Sequence, residues 1–266
     1  GGLRVVTPSG GDGGSWREAF GPLRGGEVLG LDLSGAAPLA CVRRGDLTVP
    51  LRFPPAPPSE PARWASEPAR WASEPARWAS EPARWASDLD AELSSLPTTV
   101  VLADDVGPRA WHRARVELEA QLPAPPAALP HALAVAAAVY DPAALTGRRA
   151  AVVVRAGDEG PRLVPILFRP HAGGGRLVAY RVRTDAAAVS AVAERLLRLA
   201  PPPFEVLASG WSGPDAGADL GDDRLVAVPS GAGGLEAYAP AVQARWAAAV
   251  GATFGDRVED RGWVKA

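Results

Sequence analysis

Two stretches of the chain read nearly alike: Leu47-Thr-Val-Pro-Leu-Arg-Phe-Pro54 and Leu163-Val-Pro-Ile-Leu-Phe-Arg-Pro170. Each lies within a run of three strand-like segments. Around the first these are Glu27 to Leu33, Pro38 to Arg43 and Leu47 to Phe53, separated by turns at Ser34-Gly35 and Gly45-Asp46. Around the second they are Ala150 to Arg155, Leu163 to Phe168 and Leu177 to Arg183, with turns at Gly157 to Pro161 and Gly173 to Gly175. Short glycine-containing turns between apolar, β-branched runs predict an antiparallel meander in each place.

Downstream of each meander the order repeats. After the first come Leu89, Leu93 and Leu96 at helical spacing, a β-branched strand from Thr98 to Ala103, and a helix from Ala110 to Gln121. After the second come a helix over Asp185 to Leu199 capped by Thr184, strands at Phe204 to Ala208 and Arg224 to Val228, and helix over Leu235 to Phe254. Ala132 to Tyr140 is apolar throughout and fits either strand or helix. The predicted fold class is α/β: two duplicated β-β-β-α-β-α halves, residues 1–146 and 147–266.

This unit, and its duplication, resembles the ribonuclease-H-like halves of the actin-like fold shared by sugar kinases, Hsp70 and actin. In that family an Asp-x-Gly-Thr/Ser turn near the start of each half wraps nucleotide phosphates. The counterpart in the first half is Asp32-Leu33-Ser34-Gly35, with Ser34 at the glycine position; in the second it is Val154 to Asp158, with Arg155 at the aspartate position. The adenosine-binding glycines correspond to Ser209-Gly210-Trp211, where tryptophan intrudes, and Ala247 to Ala252 resembles the small-residue helix that closes these proteins. Loss of one aspartate removes charge that phosphoryl transfer needs for positioning and neutralisation. The resemblance therefore implies a non-catalytic adaptor, similar to the cytoplasmic platform proteins of type IV pilus and type II secretion machines. These bind protein partners, among them a membrane-anchored assembly component, and no cofactor is expected. The alternative is a phosphotransferase of the sugar-kinase class using Asp32 and Asp104.

The third expectation is a self-assembling scaffold. Between the first meander and its helix, Ser-Glu-Pro-Ala-Arg-Trp-Ala occurs four times over residues 59–86. In a helix Trp64, Trp71, Trp78 and Trp85 drift only about 20° per copy and form one stripe, with Arg63, Arg70, Arg77 and Arg84 beside them. Pro68, Pro75 and Pro82 break a continuous helix, so short helical turns, each capped by serine, are predicted. Trp and Arg dominate interface hot spots, which makes these eight residues the candidate partner-binding set. The competing reading is an in-frame expansion lying on its own domain.

Composition narrows the rest. The chain has 266 residues and net charge −2, so no bulk field draws in nucleic acid. Arginine is nearly the whole basic complement, Lys265 being the single lysine, and there is no asparagine; this pattern fits a GC-rich genome. With one cysteine, Cys41, no internal disulfide forms, and a cytoplasmic location is expected. No apolar run is long enough to span a bilayer, so direct membrane insertion is not expected. His112, His131 and His171 lack metal-ligand spacing and are expected to be solvated or capping. Asp104-Asp105 and Asp222-Asp223 read as turn-forming pairs, Cys41 as a core residue, and the Pro8 to Gly14 loop as a turn without the Lys-Ser/Thr ending of a phosphate loop.

Overall fold

A computed structural model describes residues 21–34, 39–45, 47–51, 93, 95–106, 109, 112, 116, 119, 126–155, 162–184, 205–209, 226–229 and 247–265. The repeats at 59–86, with all eight candidate partner-binding residues, lie outside the described residues, as do Asp222, Asp223 and the predicted helix over 185–199.

The chain is mixed α/β, with two sheets. The first is built from β1 (Val28–Asp32), β2 (Leu39–Arg44), β3 (Leu47–Leu51), β4 (Thr98–Leu102) and β5 (Ala127–Pro130), in the order β3-β2-β1-β4-β5. Here β1, β2 and β3 form the antiparallel meander, while β4 and β5 run parallel to β1. The second contains β6 (Arg149–Arg155), β7 (Arg162–Pro170), β8 (Leu177–Arg183), β9 (Glu205–Ser209), β10 (Val226–Pro229) and β11 (Val258–Lys265). Its order is β10-β9-β6-β7-β8-β11. Again three antiparallel strands, β6, β7 and β8, are followed by two, β9 and β10, parallel to the first. Nine strands expected from the sequence are present within a few residues of their predicted limits.

Two strands were not legible. β5 falls in the proline-rich bridge, and its Pro130 is tolerated because β5 is an edge strand with no further ladder to donate to. β11 adds to the other edge of the second sheet, parallel to β8, with a register shift between Asp260 and Trp263 where Gly262 takes φ +79°.

The ambiguous apolar run resolves as helix α1 (His131–Val139), eight of whose nine residues are buried. It is apolar on every side because it lies between the sheets, touching β4 and β5 of one and β7, β8 and β11 of the other. Helical residues 247–252 cross it closely. A Cβ on Gly251 would stand 1.6 Å from the Ala134 carbonyl oxygen, and one on Gly30 of β1 would stand 2.0 Å from the Ala249 oxygen. Glycine is required at both positions for the backbones to approach. The core is therefore continuous from Cys41, Val101 and Leu129 of the first sheet, through α1 and 247–252, to Ala151, Ile166 and Phe168 of the second. Arg43 of β2 clamps the far end of the 247–252 helix. Its Nη2 donates to the Thr253 carbonyl at 2.8 Å, and its guanidinium stacks on Phe254, 4.2 Å from the ring centre. A cation at a helix C-terminus also meets the negative end of the helix dipole.

Candidate functional site

In open α/β sheets, ligands gather at the carboxyl ends of parallel strands. β1, β4 and β5 are parallel and adjacent, and a polar residue stands at or just beyond each carboxyl end: Asp32, Asp104 and His131. Asp32 closes β1 on the side it shares with Gly30 and with Val101 across the ladder, which is the core side. The chain then turns at Ser34, whose backbone N–H donates to Asp32 Oδ1 at 2.9 Å.

The Ser34 hydroxyl donates to the same Oδ1 at 2.5 Å and lies 2.5 Å from Nδ1 of His131. Proton counting settles the roles. A serine hydroxyl has one proton, and the Asp32 carboxylate can only accept, so the proton points to Asp32. Nδ1 of His131 must then carry the second proton and donate to Ser34 Oγ. The result is a relay from imidazole N–H to hydroxyl to carboxylate, linking residues 97 apart in sequence. Ser34 is thus not activated by His131 as a nucleophile, because its proton is directed away from the imidazole. All three groups are buried, at 5% exposure for Asp32 and Ser34 and 3% for His131.

Asp104 has a different task. α1 begins after Pro130, which offers no side-chain cap, and the Asp104 carboxylate supplies one from the turn after β4. The Ala132 N–H donates to Oδ1 at 3.1 Å and Oδ2 at 3.3 Å. A carboxylate at the first turn of a helix satisfies an orphan donor and suits the dipole. The backbone oxygen of Asp104 accepts from Nη1 of Arg181, in β8, at 2.9 Å. Asp104 is nine-tenths buried, whereas its neighbour Asp105 is exposed.

The sequence expectation for histidine needs one correction. His112 is exposed on a helical position, and His171 is an exposed turn residue whose Nδ1 accepts from Gly173 N–H at 3.0 Å. His131 is buried rather than solvated, and its Nδ1 meets the Ser34 hydroxyl. The signal for it was weak: a lone polar residue abutting an apolar run, with nothing in the spacing to tie it to Ser34. Cys41 is a core residue, facing Gly30 across the β1–β2 ladder. Burial, and then the Asp32 charge, raise its thiol well above the usual range, so it stays neutral. Arg155 ends β6, the strand that occupies in the second sheet the place of β1 in the first. Among the described residues no three His, Cys, Asp or Glu side chains are grouped as metal ligands. No described helix is long and apolar enough to cross a membrane.

No protein-family model and no curated protein matches the chain. Solved structures do. The chain is similar to an exopolyphosphatase-like protein at TM-score 0.33 and 8% identity, covering 69% of this chain and 66% of that one. The PPX-GPPA enzyme of Aquifex aeolicus gives TM-score 0.33 and 9% identity, over 70% of this chain and 69% of that one. With the ROK hexokinase of Thermus thermophilus the TM-score is 0.27 at 20% identity; 57% of this chain is covered, and the match spans about half of the hexokinase, 47%.

Proposed function

We propose that the chain is an actin-like molecule of two related halves, residues 1–146 and 147–266, with a phosphotransferase site of the sugar-kinase class in the first. Support for the two halves comes from the strands: β3-β2-β1-β4-β5 and β8-β7-β6-β9-β10 share both order and sense. The observation that carries the site is the buried relay Asp32–Ser34–His131 at the carboxyl edge of three parallel strands. Buried polar chains are costly unless fully satisfied, and the carboxyl ends of parallel strands are where open α/β sheets place their ligands. Within the relay Asp32 Oδ1 is engaged twice by Ser34, while Oδ2 accepts no hydrogen bond from the described residues. That oxygen is the group available to take the proton of an acceptor hydroxyl, or to hold a hydrated Mg²⁺ whose remaining ligands are water and phosphate. Asp104 does not share this work, since its carboxylate caps α1.

The same cap favours a second reading. With Asp104 engaged and Arg155 at the end of β6, one carboxylate remains where the resemblance implies two. On that reading the chain is a non-catalytic, cytoplasmic adaptor. Its protein partners, a membrane-anchored assembly component among them, meet the Arg63–Trp85 repeat surface, which also serves self-association.

Calorimetry with Mg-ATP, paired with phosphate release, separates the two. The site predicts micromolar binding and slow turnover, and Asp32→Asn lowers turnover by about 100-fold or more. Absence of heat at millimolar nucleotide removes the phosphotransferase and leaves the adaptor.

A further inference from the structure

Arg181 is a charged side chain in a core-facing position. It sits in β8, paired with Ile166 across the ladder and two residues from Ala179, both of which belong to the core. It is 8% exposed. A buried guanidinium is costly unless its donors are met. Nη1 donates to the Asp104 backbone oxygen at 2.9 Å, Nη2 to Asp260 Oδ2 at 3.1 Å, and the guanidinium lies 4.8 Å from the centre of the Trp263 ring. Nε is buried without a hydrogen-bond partner. The side chain is thus held where Nη1 and Nη2 are satisfied and Nε is not, as a fixed reach to Asp104 demands.

From Asp104 the contacts continue without a break. Its carboxylate holds the Ala132 N–H, Ala132 follows His131, and the His131 imidazole meets Ser34 and, through it, Asp32. α1 cannot slide to compensate, because its Ala134 backbone is pinned against Gly251 less than one turn further on. We propose that Arg181 is a positioning residue: it ties the second sheet to the Asp32–Ser34–His131 relay, so that the placement of β8 sets the His131 imidazole. Only the activity that this tie tunes rests on the phosphotransferase reading; the tie itself is read without ligand.

The chain has three histidines, which makes imidazole N–H resonances a tractable probe. His131→Gln identifies the His131 signal. Unliganded wild type should show its Nδ1 proton as a downfield, slowly exchanging resonance. Arg181→Met should abolish that resonance or speed its exchange at least tenfold while the fold is kept, and Arg181→Lys, whose ammonium can still donate to the Asp104 oxygen, should retain it. A folded Arg181→Met protein with the wild-type signal overturns the proposal, as does a wild type without one. If Arg181→Met does not fold, Asp260→Ala removes only the outer partner. Faster exchange there supports the tie, and unchanged exchange overturns it. Failure to bind Mg-ATP leaves every one of these outcomes readable.

Discussion

One proton decides what Ser34 is. Because the hydroxyl donates to Asp32, the residue orders a carboxylate and receives an imidazole, and Ser34→Ala strips a partner from both. The buried His131 N–H then loses the Ser34 acceptor, so Ser34→Ala should cost about 1–3 kcal/mol in urea unfolding. Glu27 gives a second prediction at this scale. Burial pulls its carboxyl upward, but the Arg24 N–H and the Arg44 guanidinium outweigh that and leave it below the ordinary 4.5. A carboxyl lowered on folding contributes stability that is present above its unfolded value and lost as pH falls through the folded one. Glu27→Gln should therefore lower the urea midpoint at pH 7, and the gap from wild type should narrow below pH 4.5. A gap that stays constant with pH would contradict the pairing. Asp32 and Ser34 were legible in the sequence as the turn that closes the first strand. His131 was not, because contact between residues 97 apart is a product of topology.

At the scale of elements, alternation and turn chemistry carried the strands, and the misses have causes. β5 is four residues with a proline, and β11 carries Glu-Asp-Arg-Gly across a bulge, so neither alternates. α1 could not be typed because a helix buried between two sheets has no polar face and hence no period to read. The tightness of its crossing yields a comparison. Gly251→Ala sets a methyl 1.6 Å from a backbone oxygen that cannot rotate away, and should cost ~3 kcal/mol or more. Gly175→Ala meets open space and loses only the left-handed backbone at φ +69°, about 1–2 kcal/mol. Thermal unfolding of the two variants side by side tests whether approach or conformation governs. Asp104→Ala, which uncaps α1, should cost about 0.5–2 kcal/mol.

For the molecule as a whole, the four-fold repeat catches the eye first, yet the described core closes without it. β3 ends at Leu51 and the buried, helical Leu93 resumes the first sheet's surroundings. Loop closure changes by only about 0.6 kcal/mol per doubling of length. Deleting residues 60–86 should accordingly leave the melting temperature unchanged or slightly raised. Light scattering on the same deletion tests the surface role of Trp64, Trp71, Trp78 and Trp85, since a lower assembly mass supports self-association through them and an unchanged mass removes it. That the chain is mixed α/β was thus readable from element order, while the repeat's part in function was not, because stickiness names no partner.

The close seat of residues 247–252 on Gly30 also bears on how the protein is made. A ribosome delivers β1 some two hundred residues before the helix that covers it, and domains ordinarily fold as they emerge. This first sheet cannot finish on that schedule: Gly30 and the core face around it stay uncovered until residues 247–252 have been synthesised. Over that interval an apolar face stays uncovered, the kind of surface that holdase chaperones bind.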